Sequence, residues 1–272
     1  MSRFTIGILA PLVGLVAGCA ALPATETGRI DQQRIEFAQL GQGSPVVVFE
    51  NGLGAPMRSW NKVFPEIGKH TTAFAYHRPD YGDSDPASTP RDGAHIVDEL
   101  RALLRSRGLA PPYVLVGHSL GGLYMQLFAR KYPDEVAGLV LVDSTHPTQM
   151  EGAGRIENQP WWARMFFHLF VNGELRREFD AVAATGQEVL RLTTVTGKPV
   201  WVLNAIDPRR AEAVHHANRK RADFARLYPG GQVQWVKSGH FIQWDKPEVV
   251  IDAIRDTLEA QTPSATVEPT DK

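Results

Sequence analysis

The sequence predicts an α/β fold, with a mostly parallel central sheet, helices on both faces and an inserted helical cap. Three observations lead to this prediction. Short runs of Val, Ile, Leu and aromatic residues recur along the chain, and stretches with helical periodicity separate them. That alternation is typical of parallel strands joined by crossover helices. The chain has 272 residues and is 43% hydrophobic, which is sufficient for one large core, and we expect one domain over residues 29–260.

The strands are predicted from continuous apolar runs, because helices cover a parallel strand on both of its faces. These runs are residues 46–49, 72–76, 113–116, 138–142, 199–203 and 233–236. Helical periodicity lies between them, around residues 60–67 and 96–104 and again over 123–132. Residues 33–40 alternate more weakly and lead into Gly41, which predicts an edge strand followed by a turn.

An insertion at residues 144–197 separates the fourth of these runs from the fifth and is rich in aromatic side chains. Trp161, Trp162, Phe166 and Phe167 lie close together in it. This composition predicts a helical cap over the sheet, whose aromatic residues contact an apolar part of a substrate. Ordinary core helices would have a similar composition, and the two interpretations are compatible.

The first 18 residues are expected to be an export signal. An almost uncharged apolar stretch over residues 4–17 follows Arg3. It has the length of the hydrophobic region of a signal peptide and is shorter than the ~20 residues that span a bilayer. The stretch ends in Val-Ala-Gly-Cys at residues 16–19, which resembles the lipobox of bacterial lipoproteins.

That resemblance implies that Cys19, the only cysteine of the chain, becomes a lipidated N-terminus. Residues 19–28 would then tether an exported protein to the cell envelope, on the periplasmic side of a bacterial membrane. An ordinary secretory signal that contains a cysteine, or a short uncleaved anchor, remain as alternatives. At the other end, the polar residues 261–272 predict a disordered tail.

The charge of the chain argues against a polyanionic partner. The formal net charge is -1, whereas nucleic-acid binding requires a basic patch or stripe. Arg219, Lys220 and Arg221 form the densest basic run, and we interpret it as the solvated face of a helix. A nucleic-acid partner is therefore not expected, and the sequence is silent on oligomeric state.

The sharpest chemical signal is Gly-His-Ser-Leu-Gly at residues 117–121, between an apolar run and a helix-forming run. A chain that turns from strand to helix within a few residues holds the central residue in a strained conformation, with small neighbours on either side. Ser119 is thus predicted to be a nucleophile presented at a helix N-terminus, where negative charge is stabilised. His118 is expected to pack beside this elbow.

With these elements in this order, the chain resembles an α/β-hydrolase over residues 35–258. The resemblance implies a general base on the loop after the last strand, where the sequence has Ser-Gly-His-Phe at residues 238–241. His240 is the candidate, because an imidazole can exchange a proton with a serine hydroxyl near neutral pH.

The acid that orients the base follows a strand in this family, and two residues match. Asp207 follows the run at 199–203 in Asn-Ala-Ile-Asp-Pro, and Asp143 ends the preceding run. Either carboxylate could hold the imidazole. We predict Asp207 as the acid, with Asp143 as the alternative.

The loop after the first buried strand, Glu-Asn-Gly-Leu-Gly at residues 50–54, is similar to the family's oxyanion-hole loop, with Asn51 in place of the usual histidine. The resemblance assigns the two oxyanion donors to the backbone N–H groups of Leu53 and Leu120. Residues 76–85 are similar to a second family loop, from which His77 and Asp80 depart, and are interpreted as scaffolding.

These features predict a serine hydrolase that cleaves a carboxylic ester or related acyl bond of a small-molecule substrate through an acyl-enzyme. They imply no metal and no organic cofactor. A thioesterase or acyltransferase would use the same residues. A non-catalytic binding or sensing protein on the same fold is the alternative of a different class, since a fold alone does not determine function.

Overall fold

The structure is a computed structural model that describes residues 22–158, 161, 164, 165, 169, 171, 173–206 and 215–261. Within these ranges one sheet contains eight strands. They are β1 (Glu26–Ile30), β2 (Gln33–Leu40), β3 (Val46–Glu50), β4 (Ala73–Tyr76), β5 (Tyr113–His118), β6 (Val136–Val142), β7 (Val200–Ile206) and β8 (Gln232–Lys237). Their order across the sheet is β1-β2-β4-β3-β5-β6-β7-β8. The pairs β1–β2 and β2–β4 are antiparallel, and every pair from β4 to β8 is parallel.

Helices connect the strands over the same described ranges. They are α1 (Phe64–Ile67), α2 (Gly93–Ser106), α3 (Leu120–Lys131), α4 (Gly173–Asp180), α5 (Val182–Arg191), α6 (His215–Leu227), α7 (Ile242–Asp245) and α8 (Pro247–Glu259). Short 3-10 segments are found at Met57–Trp60, Pro133–Glu135, Gly152–Gly154 and Ile156–Asn158. The predicted fold class is confirmed: a mostly parallel sheet carries helices on both faces.

The core has two layers because successive side chains of a strand point to opposite faces. Val46 and Val48 of β3 belong to one buried cluster, with leucines of α2 and α3. Val47 and Phe49 belong to the other, with apolar side chains of α1 and α8. Both faces of the central strands are therefore buried, as the continuous apolar runs predict.

The edge of the sheet differs from the prediction. Residues 33–40 do form a strand, but β1 pairs with it, in a register that places Thr27 opposite Glu36. The edge strand of this side is thus β1 rather than β2. The predicted tether overlaps β1, so the folded part begins before residue 29. Cys19 and residues 262–272 lie outside the described residues.

The insertion between β6 and β7 contains α4, α5 and two of the short 3-10 segments. Trp161 is 72% exposed, whereas Trp162, Phe166 and Phe167 lie outside the described residues. In the part of the chain that the structure describes, no helix is both long enough and apolar enough to cross a membrane.

Candidate active site

Ser119 lies at the sharp turn between β5 and α3. Its backbone has φ +52° and ψ −121°, a region that L-residues adopt at a cost of about 1–3 kcal/mol. A Cβ on Gly117 would come within 2.6 Å of Gly122 Cα, and one on Gly121 within 2.5 Å of Asn51 O. The glycines of the motif are therefore required by close backbone approach. The structure folds residues 117–121 as the elbow that the sequence predicts.

His240 lies on the loop after β8 and contacts Asp143, not a surface acid. Its Nδ1 is 2.6 Å from Oδ2 of Asp143, which directly follows β6. An ionised carboxylate only accepts hydrogen bonds, so Nδ1 carries the proton and Nε2 of the neutral ring is left as an acceptor. The side chain of His240 is 47% exposed, so a substrate can reach the imidazole from solvent.

Asp143 is held as a buried anion by three donors. Its Oδ1 accepts the N–H of Ala205 at 3.0 Å, and its Oδ2 accepts Nη2 of Arg221 at 2.8 Å as well as Nδ1 of His240. Burial opposes the charge, but the hydrogen bond from His240 and the charge of Arg221 outweigh it and lower the pKa of Asp143 below its ordinary value. This carboxylate is suited to orient an imidazole and to stabilise its charged form.

The structure thus brings the alternative acid, Asp143, to His240. The preferred acid of the sequence analysis, Asp207, lies outside the described residues, so its position is not part of this geometry. Asp143 is already hydrogen-bonded to Nδ1 of His240, which is the position that the acid of a triad occupies.

Ser119 and His240 open into one small cavity of about 120 Å³. The described residues that line it are Ser119, Asp143, Ser144, Thr145, Gln149, Arg221 and His240. All of them are polar, and none belongs to the aromatic group of the insertion that is expected to contact an apolar part of a substrate. Trp161 lines a separate shallow surface depression with Met165 and Leu169.

Arg221 lines this cavity, although the sequence predicts that it is exposed to solvent. The run at 219–221 was interpreted as a solvated helix face, and Arg219 is indeed exposed. Successive helical residues are about 100° apart, so three of them cannot all face solvent on a packed helix. Arg221 faces inward on α6 and donates to Asp143 and to Asn218.

The two residues that are expected to supply the oxyanion donors lie close to the nucleophile. Leu120 is the first residue of α3, and Gly52, just before Leu53, would place a Cβ only 3.1 Å from Cβ of Ser119. Neither the N–H of Leu53 nor that of Leu120 has an acceptor among the described residues. Both backbone groups remain available to a ligand next to Ser119.

His118 packs beside the elbow, as expected. Its Nε2 is 3.0 Å from the carbonyl oxygen of His240, and its ring lies 4.6 Å from the ring of His240. Burial and the neighbouring His240 lower the pKa of His118 to about 3. His118 is therefore a neutral support for the loop that carries His240.

Asn51, at the position where the family often has a histidine, is also structural. Its amide donates to the carbonyl oxygen of Tyr76 at 2.9 Å and accepts from the hydroxyl of Ser59 at 3.3 Å. These contacts fix the end of β3 against the end of β4. The side chain of Asn51 therefore has a structural role in holding the loop that lies next to the nucleophile.

A strand–elbow–helix unit beside an imidazole that is hydrogen-bonded to a buried carboxylate defines a class of proteins, and sequence comparison agrees with it. Residues 45–220 match the model of the α/β hydrolase fold family. The chain belongs to this family.

Among curated proteins, the chain is 26% identical over 185 residues to the uncharacterized protein YbdG of Bacillus subtilis, which covers 65% of this chain and 55% of YbdG. It is 26% identical over 250 residues to the sn-1-specific diacylglycerol lipase ABHD11 of Mus musculus, covering 79% of this chain and 81% of that protein. The chain spans only about half, or less, of the length of the first curated relatives it matches.

Among solved structures, a thermophilic esterase from Thermogutta terrifontis superposes with a TM-score of 0.63 at 21% identity. The superposition covers 88% of this chain and 99% of that one. At this level of identity the likeness supports the fold.

Proposed function

We propose that this protein is a serine hydrolase that cleaves a carboxylic ester or related acyl bond through an acyl-enzyme. Ser119 is the nucleophile, His240 the general base and Asp143 the acid that orients it. The observation that carries the proposal is the hydrogen bond between His240 and the buried Asp143, in a cavity that the serine of a strained elbow also lines.

The reaction has two halves that use the same groups. His240 accepts the proton of the Ser119 hydroxyl as the oxygen attacks the carbonyl carbon, and returns it to the leaving alcohol. Water, deprotonated by the same imidazole, then attacks the acyl-enzyme and releases the acid and Ser119. The backbone N–H groups of Leu53 and Leu120 donate to the oxyanion that forms in both halves, and one such donor contributes about 3–4 kcal/mol.

The elbow also argues against a purely binding protein. Backbone strain of the kind seen at Ser119 persists where the surroundings maintain it, and it clusters at sites that use it. A binding pocket has no need of a serine held at positive φ beside an imidazole. Names of relatives such as the lipase ABHD11 and the Thermogutta esterase are consistent with hydrolysis, although they leave the substrate of this chain open.

A fluorophosphonate probe tests the function directly, because it reacts with a serine only when that hydroxyl is activated. We expect stoichiometric labelling, with the modified peptide mapping to Ser119. Ser144 lines the same cavity but is only 4% exposed, so the control is Ser119→Ala, which should take no label. An unlabelled protein, or label on Ser144, would contradict the proposal. Turnover of p-nitrophenyl esters and thioesters of graded chain length then separates esterase from thioesterase and shows whether the polar cavity prefers short acyl groups.

We further propose that the protein is exported and attached to the cell envelope by lipid on Cys19. The support is the motif at residues 16–19, and a diacylated cysteine would supply the two chains that stable attachment requires. Cys19→Ala is expected to move the protein from the membrane fraction to the soluble fraction and to abolish incorporation of labelled palmitate, with specific activity unchanged. Membrane association that persists in the variant, or wild-type protein without lipid label, would refute the anchor.

A further inference from the structure

A buried arginine lies behind the oxyanion loop. Arg78 follows β4, and its side chain is 1% exposed, as is that of Glu178 on α4, while Glu50 at the end of β3 is fully buried. Charges are buried in proteins when they are paired and fully hydrogen-bonded. Here burial opposes the charge of Arg78, but Glu178 and Glu50 outweigh it and raise the pKa of the guanidinium.

All five N–H donors of this guanidinium have an acceptor. Nε and Nη2 form a two-pronged contact with the carboxylate of Glu178, at 2.8 and 2.9 Å. Nη1 donates to Glu50 and to the carbonyl oxygen of Asn51, and Nη2 donates to the carbonyl oxygen of Gly52 at 3.2 Å. The orientation of Arg78 is therefore set from both sides, by the sheet and by the insertion.

The contact to Gly52 acts on the oxyanion hole. The carbonyl of Gly52 and the N–H of Leu53 belong to one peptide group, which is trans. In a trans peptide the C=O and N–H bonds point in opposite directions. Arg78 shares this carbonyl oxygen with the N–H of Ala55, which also donates to it at 3.2 Å, and the two donors together fix the peptide with its N–H pointing away from them. A Cβ on Gly52 would lie 3.1 Å from Cβ of Ser119, so this peptide lies beside the nucleophile.

The insertion reaches the same loop through two further contacts. The hydroxyl of Tyr81 donates to Glu178 at 2.9 Å and accepts the N–H of Gly54 at 3.4 Å. A Cβ on Gly54 would lie 3.4 Å from Leu175, also on α4. Helix α4 thus lies next to Gly54 through Leu175, and hydrogen bonds through Arg78 and Tyr81 connect it to Gly52 and Gly54.

We propose that Arg78 is a positioning residue of the oxyanion hole, because it orients the peptide group that carries the N–H of Leu53. Glu178 holds Arg78 in place, so this orientation depends on the position of α4. The inference rests on the proposed function, because it concerns how the proposed oxyanion donor is held. It gives the insertion a part in the reaction that is separate from substrate contact. If α4 were displaced, Arg78 would lose its contact with Glu178, and the N–H of Leu53 would no longer be held in the direction of the oxyanion.

Two variants test the coupling. Arg78→Lys keeps the positive charge but has three donors in place of five. Glu178→Gln keeps the shape of the side chain, but its amide nitrogen would face another donor, which breaks the two-pronged contact. Glu135→Gln is the control, because Glu135 also makes a two-pronged contact with an arginine, Arg101, and this pair shares no hydrogen bond with Arg78, Glu178 or residues 50–54 in the described part of the chain.

Removal of one oxyanion donor lowers kcat by about 10²–10³-fold, and a misaimed donor retains part of its effect. We expect kcat to fall about 100-fold in Arg78→Lys and about 10-fold in Glu178→Gln, with KM within threefold of wild type. The inhibition constant of a trifluoromethyl ketone, whose hemiketal oxyanion occupies the hole, should rise by the same factor as kcat falls. Glu135→Gln should match wild type in all three quantities.

Thermal unfolding shows which variants are folded. If Arg78→Lys is not folded, the result for Glu178→Gln decides the test. The inference is overturned if the folded variants have the kcat and inhibition constant of wild type, or if only KM changes. In that case, labelling of Ser119 in the wild-type protein still supports the proposed function. If wild-type Ser119 is unlabelled and no ester is turned over, the proposed function has failed, and this inference with it.

Discussion

Ser119→Ala is expected to lower kcat by about 10⁶-fold, the size of effect that follows removal of the serine from a comparable triad. The physical reason is that alanine has no oxygen to form the acyl-enzyme, while water attacking directly would lack the alignment that the elbow provides. The oxyanion donors and the cavity would remain, so a small residual rate above the uncatalysed reaction is expected. Purified variant and wild type are compared with the best p-nitrophenyl ester, and a residual rate above about 1% of wild type would defeat the assignment.

The stability of the variant provides the control. Ser119 is partly exposed, and its replacement by alanine should change the free energy of unfolding by less than about 1 kcal/mol. Glycine adopts positive φ without strain, so Ser119→Gly should be at least as stable as Ser119→Ala in spite of the greater entropy of its unfolded chain. Both variants should be equally inactive. A large loss of stability in either would mean that lost turnover reflects lost folding.

The strands of the parallel sheet could be predicted because their signal is local. A strand that is covered on both faces is mainly apolar, and this holds for all of β6 and for β3 and β5 up to their last residues, Glu50 and His118. By contrast, β1 has a polar sequence with a single large apolar residue, Ile30, and becomes a strand through its pairing with β2. Such a strand carries no composition signal, which explains why residues 26–28 were interpreted as tether.

Contacts between residues that are far apart in the sequence could not be predicted from it. Arg78 and Glu178 are one hundred positions apart and meet because α4 lies against the loop that follows β4. Arg221 reaches Asp143 from a helix whose composition alone predicts exposure. No spacing rule connects these pairs. The sequence predicts that residues 76–85 are scaffolding, and the structure adds that Arg78 of this loop is buried between Glu50 and Glu178.

The acid was ambiguous for a geometric reason. The carboxyl ends of parallel strands meet at one edge of the sheet, and the strands that precede Asp143 and Asp207 are neighbours there. In their register Val142 lies opposite Leu203, so Asp143 begins the loop at once, whereas Asp207 comes four residues beyond Leu203. Sequence spacing admits both residues, and it takes coordinates to place a carboxylate on Nδ1 of His240.

Asp143→Asn is accordingly expected to lower kcat by about 10⁴-fold. An asparagine whose oxygen accepts the N–H of Ala205 would present its amide nitrogen to His240. The imidazole would then carry its proton on Nε2, where it can no longer accept the proton of Ser119. The measurement is kcat, together with kcat/KM, for the best ester, and folding is checked by thermal unfolding because Arg221 would lose its buried partner.

Asp207→Asn is the matched comparison, since it makes the same change in the residue that the sequence analysis preferred. We expect kcat/KM within about threefold of wild type, because Asp143 already occupies Nδ1 of His240 and the ring has no second nitrogen to spare for an orienting acid. Loss of activity in Asp207→Asn together with full activity in Asp143→Asn would reverse the assignment. The contact at 2.6 Å would then be a resting arrangement that the reaction does not use, and Arg221 would have to be considered the main partner of Asp143.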